Sequence, residues 1–438
     1  MKKRLFEGIK EKIQDKRVFR EGSFDLNSFG ERVSRFFDTE PEKERVLRNE
    51  DFDAAGDPYY AVVSARYKVA QRVSLCLLVL FILISILFNI KSITFDNLFY
   101  LVKDLGAAAD ISETNYESLS YDAAANQSYS LYRGGLSVVS RTNVSAFTST
   151  GRRTLNTSAA YSSPVPATDG KYLYVYDMGD NGFDVYNSFA KIYSERTNYP
   201  IYDMVFSDDG SFVTLSRAEE FLSVLTVYDA DFDAVAAYKR DNYAIDVSIT
   251  KSGDRLGALY VGTKNGIVTT YVVFYDLRKE AKIAEYSYDG EFPLACAFLD
   301  GGDFVAITDS SVIVFDRRAN EKNSPKSYSG KTVSGIFCDG EYCAVAVNDG
   351  VITDINEIFV IDKHGNVIYD ETVLSDVSEL AVKEGYIFIK NREGAMRIGL
   401  KNKKSEQMAG GSGRMLVYDR STVMICGASK AVYLDFDN

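Results

Sequence analysis

An all-β propeller of eight four-stranded blades, with seven as the alternative, is the fold class this sequence predicts, carried behind one transmembrane helix and a short helical or disordered N-terminal segment. Three observations predict it. First, an Asp-Gly-type turn, an apolar strand, a short gap and a second apolar strand closing on a polar residue recur as one phrase. Second, the second strands end near 229, 276, 316, 362, 400 and 435, in steps of roughly 35 to 47 residues, the period of a propeller blade. Third, one uncharged run from Val73 to Ile90 divides this region from a charged N-terminus.

The copies read DGKYLYVYD (169–177), DDGSFVTLS with SVLTVYD (208–229), SGDRLGALYV with YVVFYD (252–276) and DGGDFVAITD with SVIVFD (300–316). They continue as DGEYCAVAV with EIFVID (339–362), EGYIFIK with AMRIGL (384–400) and RSTVMICG with AVYLDFD (420–437). A weaker copy, SYSLYRGGLSVVSRTNVSAFTSTGR, covers 128–152 and brings the count to eight between about 116 and 438. Asp-Gly supplies the positive φ of tight turns, and the flanking Val, Ile, Tyr and Phe runs are too short for helices. A sandwich array is the competing fold, but immunoglobulin-like units need about 100 residues each.

The elements before the propeller follow from charge and hydropathy. Residues 1–72 carry 16 basic and 14 acidic side chains, and the 18 residues from Val73 to Ile90 carry none, flanked by Arg72 and Lys91. At 1.5 Å of rise per residue that run just crosses a bilayer core of roughly 30 Å. From Lys91 to Tyr132 only Lys91 and Lys103 are basic, which places the N-terminus inside and the propeller outside. A cleaved signal peptide would have a shorter apolar core near the N-terminus. The expected domains are a cytoplasmic segment 1–72, a span 73–90, a juxtamembrane helix or linker 91–115 and an extracytoplasmic propeller 116–438. Leu5, Ile9 and Ile13 among eight basic residues form the pattern of a helix on an anionic inner leaflet, or of a solvated tail. Residues 21–57 lack sustained periodicity.

Formal net charge is −12, and the chain beyond residue 72 holds 34 basic against 48 acidic residues. That balance argues against nucleic acid and anionic polymers as partners. Of five cysteines, Cys76 lies in the span, Cys296 and Cys426 lie in apolar strands, and Cys338 and Cys343 flank a turn where a disulfide is possible in an oxidising space. The alternative is two buried thiols.

The turn-strand-Asp phrase is similar to quinoprotein-type and WD40-type repeats, DGKYLYVYD being the closest copy. The whole layout resembles an uncharacterised family of single-pass, membrane-anchored propeller proteins of Gram-positive bacteria. The resemblance implies a propeller displayed at the membrane. The chain contains no Trp, so the Trp that locks quinoprotein blades and stacks on the quinone is missing, and no cofactor is expected. The Gly-His and Trp-Asp pairs of WD40 repeats are missing too.

The search for chemistry is brief. His364, the only histidine, sits in the turn DKHGN, and GGSGR (410–414) has Arg where a nucleophile elbow needs Gly. No phosphate-binding or dinucleotide-binding fingerprint is present. Asp177, Asp180, Asn181 and Asp184 are the best metal-like run, but Gly179 and Ser188 fall where an EF-hand needs oxygen ligands, and an Asn-Gly turn explains them without metal. The sequons at Asn126, Asn143 and Asn156 are background, and the 30 tyrosines belong mostly to strands. The expected function is a non-enzymatic scaffold at the cell membrane whose propeller binds a protein or cell-envelope partner. The alternatives are an envelope enzyme using acidic residues of the propeller channel, and a sensor coupled through its N-terminal tail.

Overall fold

The recurring phrase becomes the second and third strands of each blade, and those strands are buried on both faces. Leu173–Asp177, Phe212–Ser216, Phe304–Thr308 and Ser311–Phe315 hide every residue. The computed structural model describes residues 69–81, 118–322 and 326–437. The chain divides into two units, Met1–Phe99 and Tyr100–Asn438.

In the first unit the described element is a helix at 69–81, with Leu75, Leu77 and Phe81 exposed. Among the described residues no helix is long and apolar enough to cross a membrane. The described helix overlaps Val73–Phe81 of the expected span, and 82–90 and Lys91 lie outside the described residues. So do the tail 1–68 and the segment 91–117.

The second unit contains eight four-stranded antiparallel sheets, which decides between eight blades and seven. Blades 1 to 7 each use four consecutive strands and span 128–158, 164–195, 201–240, 243–289, 293–327, 332–373 and 379–409. Blade 8 takes three strands from 414–435 and its outermost strand from the start of the domain. Ser118–Ser120 pairs with the strand Lys430–Asp435, Leu119 opposite Ala431. This pairing closes the ring by joining the two ends of the domain in one sheet, and leaves only a three-residue strand at that blade's outer edge.

Hydrophobic layers lie between blades. Val213, Leu225, Val247, Leu256, Tyr260 and Val273 form one between blades 3 and 4. Aromatic rings fill the layer between blades 2 and 3: Phe212 stacks on Tyr228 at 4.8 Å, and Phe183 meets both edge-on at 5.4 and 5.7 Å. Such clusters supply the bulk that Trp gives other propellers.

The acidic residue ending many third strands also has a structural cause. Asp229, Asp276, Asp316 and Asp362 each accept two backbone N–H groups of the following turn through Oδ1, at 2.7 to 3.1 Å. These Asx turns send the chain into the outer strand.

Candidate functional site

The inner strands line a central channel, and those of blades 3 to 6 border a cavity of about 850 Å³. Four of these strands share one irregularity. Ile201–Phe206, Tyr243–Ile249, Pro293–Phe298 and Thr332–Cys338 each shift register by a bulge, after which Asp203, Asp246, Ala295 and Gly335 resume pairing. A bulge bends an edge strand and re-aims its side chains.

In blades 3 and 4 the residue after the bulge is an aspartate. Asp246 Oδ2 accepts the N–H of Cys296 in blade 5 at 2.6 Å, and its Oδ1 accepts the N–H of Val247 at 2.9 Å. Ser248 Oγ accepts the N–H of Phe298 at 2.9 Å. These side chains act as rungs between two inner strands whose edge N–H groups face another blade instead of a ladder partner. Asp203 accepts the N–H of Met204 at 2.8 Å. Burial, reinforced by the charge of Asp203, pushes the Asp246 carboxyl up to about 7, and burial also raises Asp203. The Cys296 thiol is pushed well above its ordinary range by burial, which leaves it unreactive at neutral pH.

The channel mouth is built from the turns between inner and second strands. Asp208 N–H donates to Lys251 O at 3.1 Å, and Asp300 N–H donates to Gly340 O at 2.6 Å, so neighbouring blades touch through their backbones. Lys251 Nζ lies 3.0 Å from Asp300 Oδ1, and that contact raises the lysine. Burial raises Asp339 beside it. The approach is close enough that a Cβ at Gly340 would collide with Asp300 Oδ1. Chemically, the channel offers one carboxyl able to exchange a proton near neutral pH inside a polar-rimmed cavity.

Of the residues singled out in sequence, Cys338 lines the cavity, while the acidic run and His364 lie away from it. Asp177 ends the second strand of blade 2 and accepts the N–H groups of Ser162 and Ser163, pinning the crossover from blade 1. Asp180 accepts Asn181 N–H at 2.7 Å, Asn181 donates to Thr197 O at 3.1 Å, and Asp184 accepts from Tyr161 Oη at 2.5 Å and Ser194 Oγ at 2.6 Å. Among the described residues no three His, Cys, Asp or Glu side chains are grouped to hold a metal ion. Cys338 and Cys343 are direct register partners, Cα atoms 4.2 Å apart, and are disulfide-bonded at the channel mouth. His364 is exposed in a turn of blade 6, beside Arg317, Arg318 and Lys322. Arg72 lies in the described helix.

Sequence reading missed Asp203 and Asp246. Their signal is an aspartate inside an apolar strand run, YDMVF and AIDVSI. It missed as well that apolar side chains are exposed on one face of the ring, at Leu222, Ile267, Phe292, Val351, Ile352 and Leu374.

A family model described as a family of unknown function (DUF5711) matches residues 111–410. No curated protein matches the sequence. Solved structures resemble the fold. The C-terminal WD40 domain of Sif2 aligns with TM-score 0.50 at 8% identity over 73% of this chain and 99% of its own. A eukaryotic initiation factor gives 0.50 at 12% over 73% and 85%, and BamB from Moraxella catarrhalis gives 0.49 at 11% over 73% and 97%. At these identities the likeness concerns the fold alone.

Proposed function

The chain belongs to the DUF5711 family of unknown function, and we propose that it is a membrane-anchored binding protein whose propeller engages a protein or cell-envelope partner outside the membrane. The observation that carries the binding role is the closed ring of eight blades with apolar side chains presented on one face. Clustered exposed apolar side chains mark interaction sites, and Val351, Ile352 and Leu374 lie on adjacent loops. The run from Val73 to Ile90, with 16 basic residues before it, supports the anchor and its direction. A disulfide between Cys338 and Cys343 fits an exported domain. The acidic balance beyond residue 72 fits a partner other than nucleic acid.

The test is chemical cross-linking in native membranes followed by purification of the full-length protein. A partner recovered in fixed proportion, and lost when the ring is opened by deleting 118–120, supports the reading. Recovery of the protein alone at every cross-linker length contradicts it. One observation favours a second reading, channel chemistry by the half-buried carboxyls: desolvation pushes Asp246 up to about 7 in a cavity large enough for a small molecule.

A further inference from the structure

The two faces of the ring differ in chemistry. In blades 1 to 7 the turns joining inner to second and third to outer strands lie on one face, while the second-to-third loops and the crossovers to the next blade lie on the other. Blade 4 shows both pairings: Leu277 N–H donates to Asp254 O at 2.9 Å, and Gly290 N–H donates to Val268 O at 2.7 Å. Among the described propeller residues, the exposed large hydrophobics lie on the crossover face or on outer strands, and none lies on the turn face. The two most exposed, Val351 at 86% and Leu374 at 79%, belong to adjacent loops on the crossover face of blade 6.

Those loops are held from beneath by buried amides. Asn356, fully buried, donates from Nδ2 to Thr353 O and to Ser375 O, both at 2.8 Å. Its Oδ1 accepts from Ser334 Oγ at 2.6 Å and from Asn348 Nδ2 at 3.2 Å. Asn391 extends the lattice, donating to Ser375 Oγ at 3.0 Å. At the tip, Asp349 Oδ1 accepts the N–H groups of Val351 and Ile352 at 3.0 and 2.7 Å, and Gly350 takes φ of +78°. A satisfied buried network of this kind fixes one conformation. The entropy of ordering two loops is therefore already spent before anything binds.

Charge around the two side chains has one dominant sign. Asp349, Asp354 and Asp376 surround them, opposed by Arg392, which lies 3.6 Å from Asp354 and 3.8 Å from Asp376. Glu357 nearby pairs with Lys326 and Lys331, and Lys326 is shared with Asp370, so five carboxylates face three cations around this corner. An anionic lipid surface and a second copy of this acidic chain are both disfavoured by that field.

We propose that this corner of blade 6 docks a partner protein through an amphipathic segment whose apolar side chains are flanked by lysine or arginine. The proposal rests on the binding role above and adds the face, the anchors and the partner's chemistry. Val351 and Leu374 supply the desolvated centre of the contact, and the three aspartates supply its orientation.

The test uses full-length protein in neutral-lipid nanodiscs and fluorescence anisotropy with three synthetic peptides: Leu/Lys amphipathic, Leu/Glu amphipathic and Ser/Lys. The Leu/Lys peptide is expected to bind. Its affinity should fall about tenfold in a Val351→Ser/Leu374→Ser variant and about threefold in Asp354→Asn/Asp376→Asn, the scale of a lost apolar anchor and of rim charges. Ile192→Ser and Val235→Ser, on outer strands, should change nothing. Equal binding of all three peptides, unchanged affinity in Val351→Ser/Leu374→Ser, or dependence on these residues for anionic vesicles instead of the peptide would overturn the proposal. A photo-crosslinking residue in place of Leu374, or of Lys279 on the turn face, separates the two levels in native membranes. Adducts from position 374 that vanish in Asp354→Asn/Asp376→Asn support the proposal. Adducts from position 279 alone overturn it and keep the binding role, and adducts from neither overturn both.

Discussion

Replacing Asp246 by Asn should make the stability of the propeller less sensitive to pH, and the structure gives the sign and scale. The wild-type carboxyl titrates at about 7 in the folded state, against about 3.9 in an unfolded chain. A carboxyl raised on folding holds its proton more tightly in the native state. Between pH 4 and 7 the unfolded chain therefore binds fewer protons, and stability falls as pH rises through that window. At about 1.4 kcal/mol per pH step the full loss is ~4 kcal/mol, and contact with channel water reduces it toward ~2 kcal/mol. Asparagine keeps the shape but has one acceptor oxygen for two N–H groups, those of Cys296 and Val247. The mutant should therefore be less stable than wild type at pH 5, by about 1 to 3 kcal/mol, with the gap closing or reversing by pH 8. The assay is urea denaturation followed by far-ultraviolet circular dichroism at half-unit steps from pH 4.5 to 8.5. Parallel curves for the two proteins would refute the burial argument for Asp246.

Four further outcomes follow from other parts of the ring. Leu119→Ala, which hollows the layer that Leu119 shares with Leu136, Phe147 and Met424, should cost about 3 kcal/mol in denaturant titration and speed hydrogen exchange in blade 8 first. Arg397→Ala should cost about 2 to 3 kcal/mol in thermal melts, because this buried guanidinium holds Glu406 at 2.6 Å, Asp437 at 2.8 Å and Arg420 O at 3.0 Å and so clamps blade 7 to blade 8. Glu285→Gln should reduce stability above pH 4.5 and have little effect near pH 2, since Arg240 and Lys282 hold the Glu285 carboxyl down to about 2 and its contribution is lost as pH falls through that range. Reducing the Cys338–Cys343 bridge should cost about 2 kcal/mol for so short a loop, and alkylation with mass spectrometry should find both sulfurs blocked until a reductant is added.

What the sequence made legible was the part of each blade buried on both sides. LYVYD, FVTLS and SVIVF announce themselves because second and third strands pack between sheets, and their aspartates recur because the turns need an acceptor for backbone N–H groups. Outer strands such as KIYSE and SEQMA are half exposed and carry no such signal. Ser118–Ser120 is three residues long, and its role depends on a partner more than 300 positions away in sequence. The channel aspartates were hidden for a related reason. Nothing local tells Asp246 in AIDVSI from a solvent-facing aspartate until ring closure places Cys296 beside it. The crossover face joins Leu222, Phe292, Val351 and Leu374 only because every blade returns its chain to the same side.

The most direct test of the account is the sidedness of the chain in intact cells. Single cysteines at Ser23 and Lys279, in a background without the native five, would be treated with a membrane-impermeant maleimide before and after permeabilisation. The account predicts that Lys279→Cys is labelled on intact cells while Ser23→Cys is labelled only after permeabilisation. Protection of Lys279→Cys on intact cells, with labelling of both sites after permeabilisation, would contradict it.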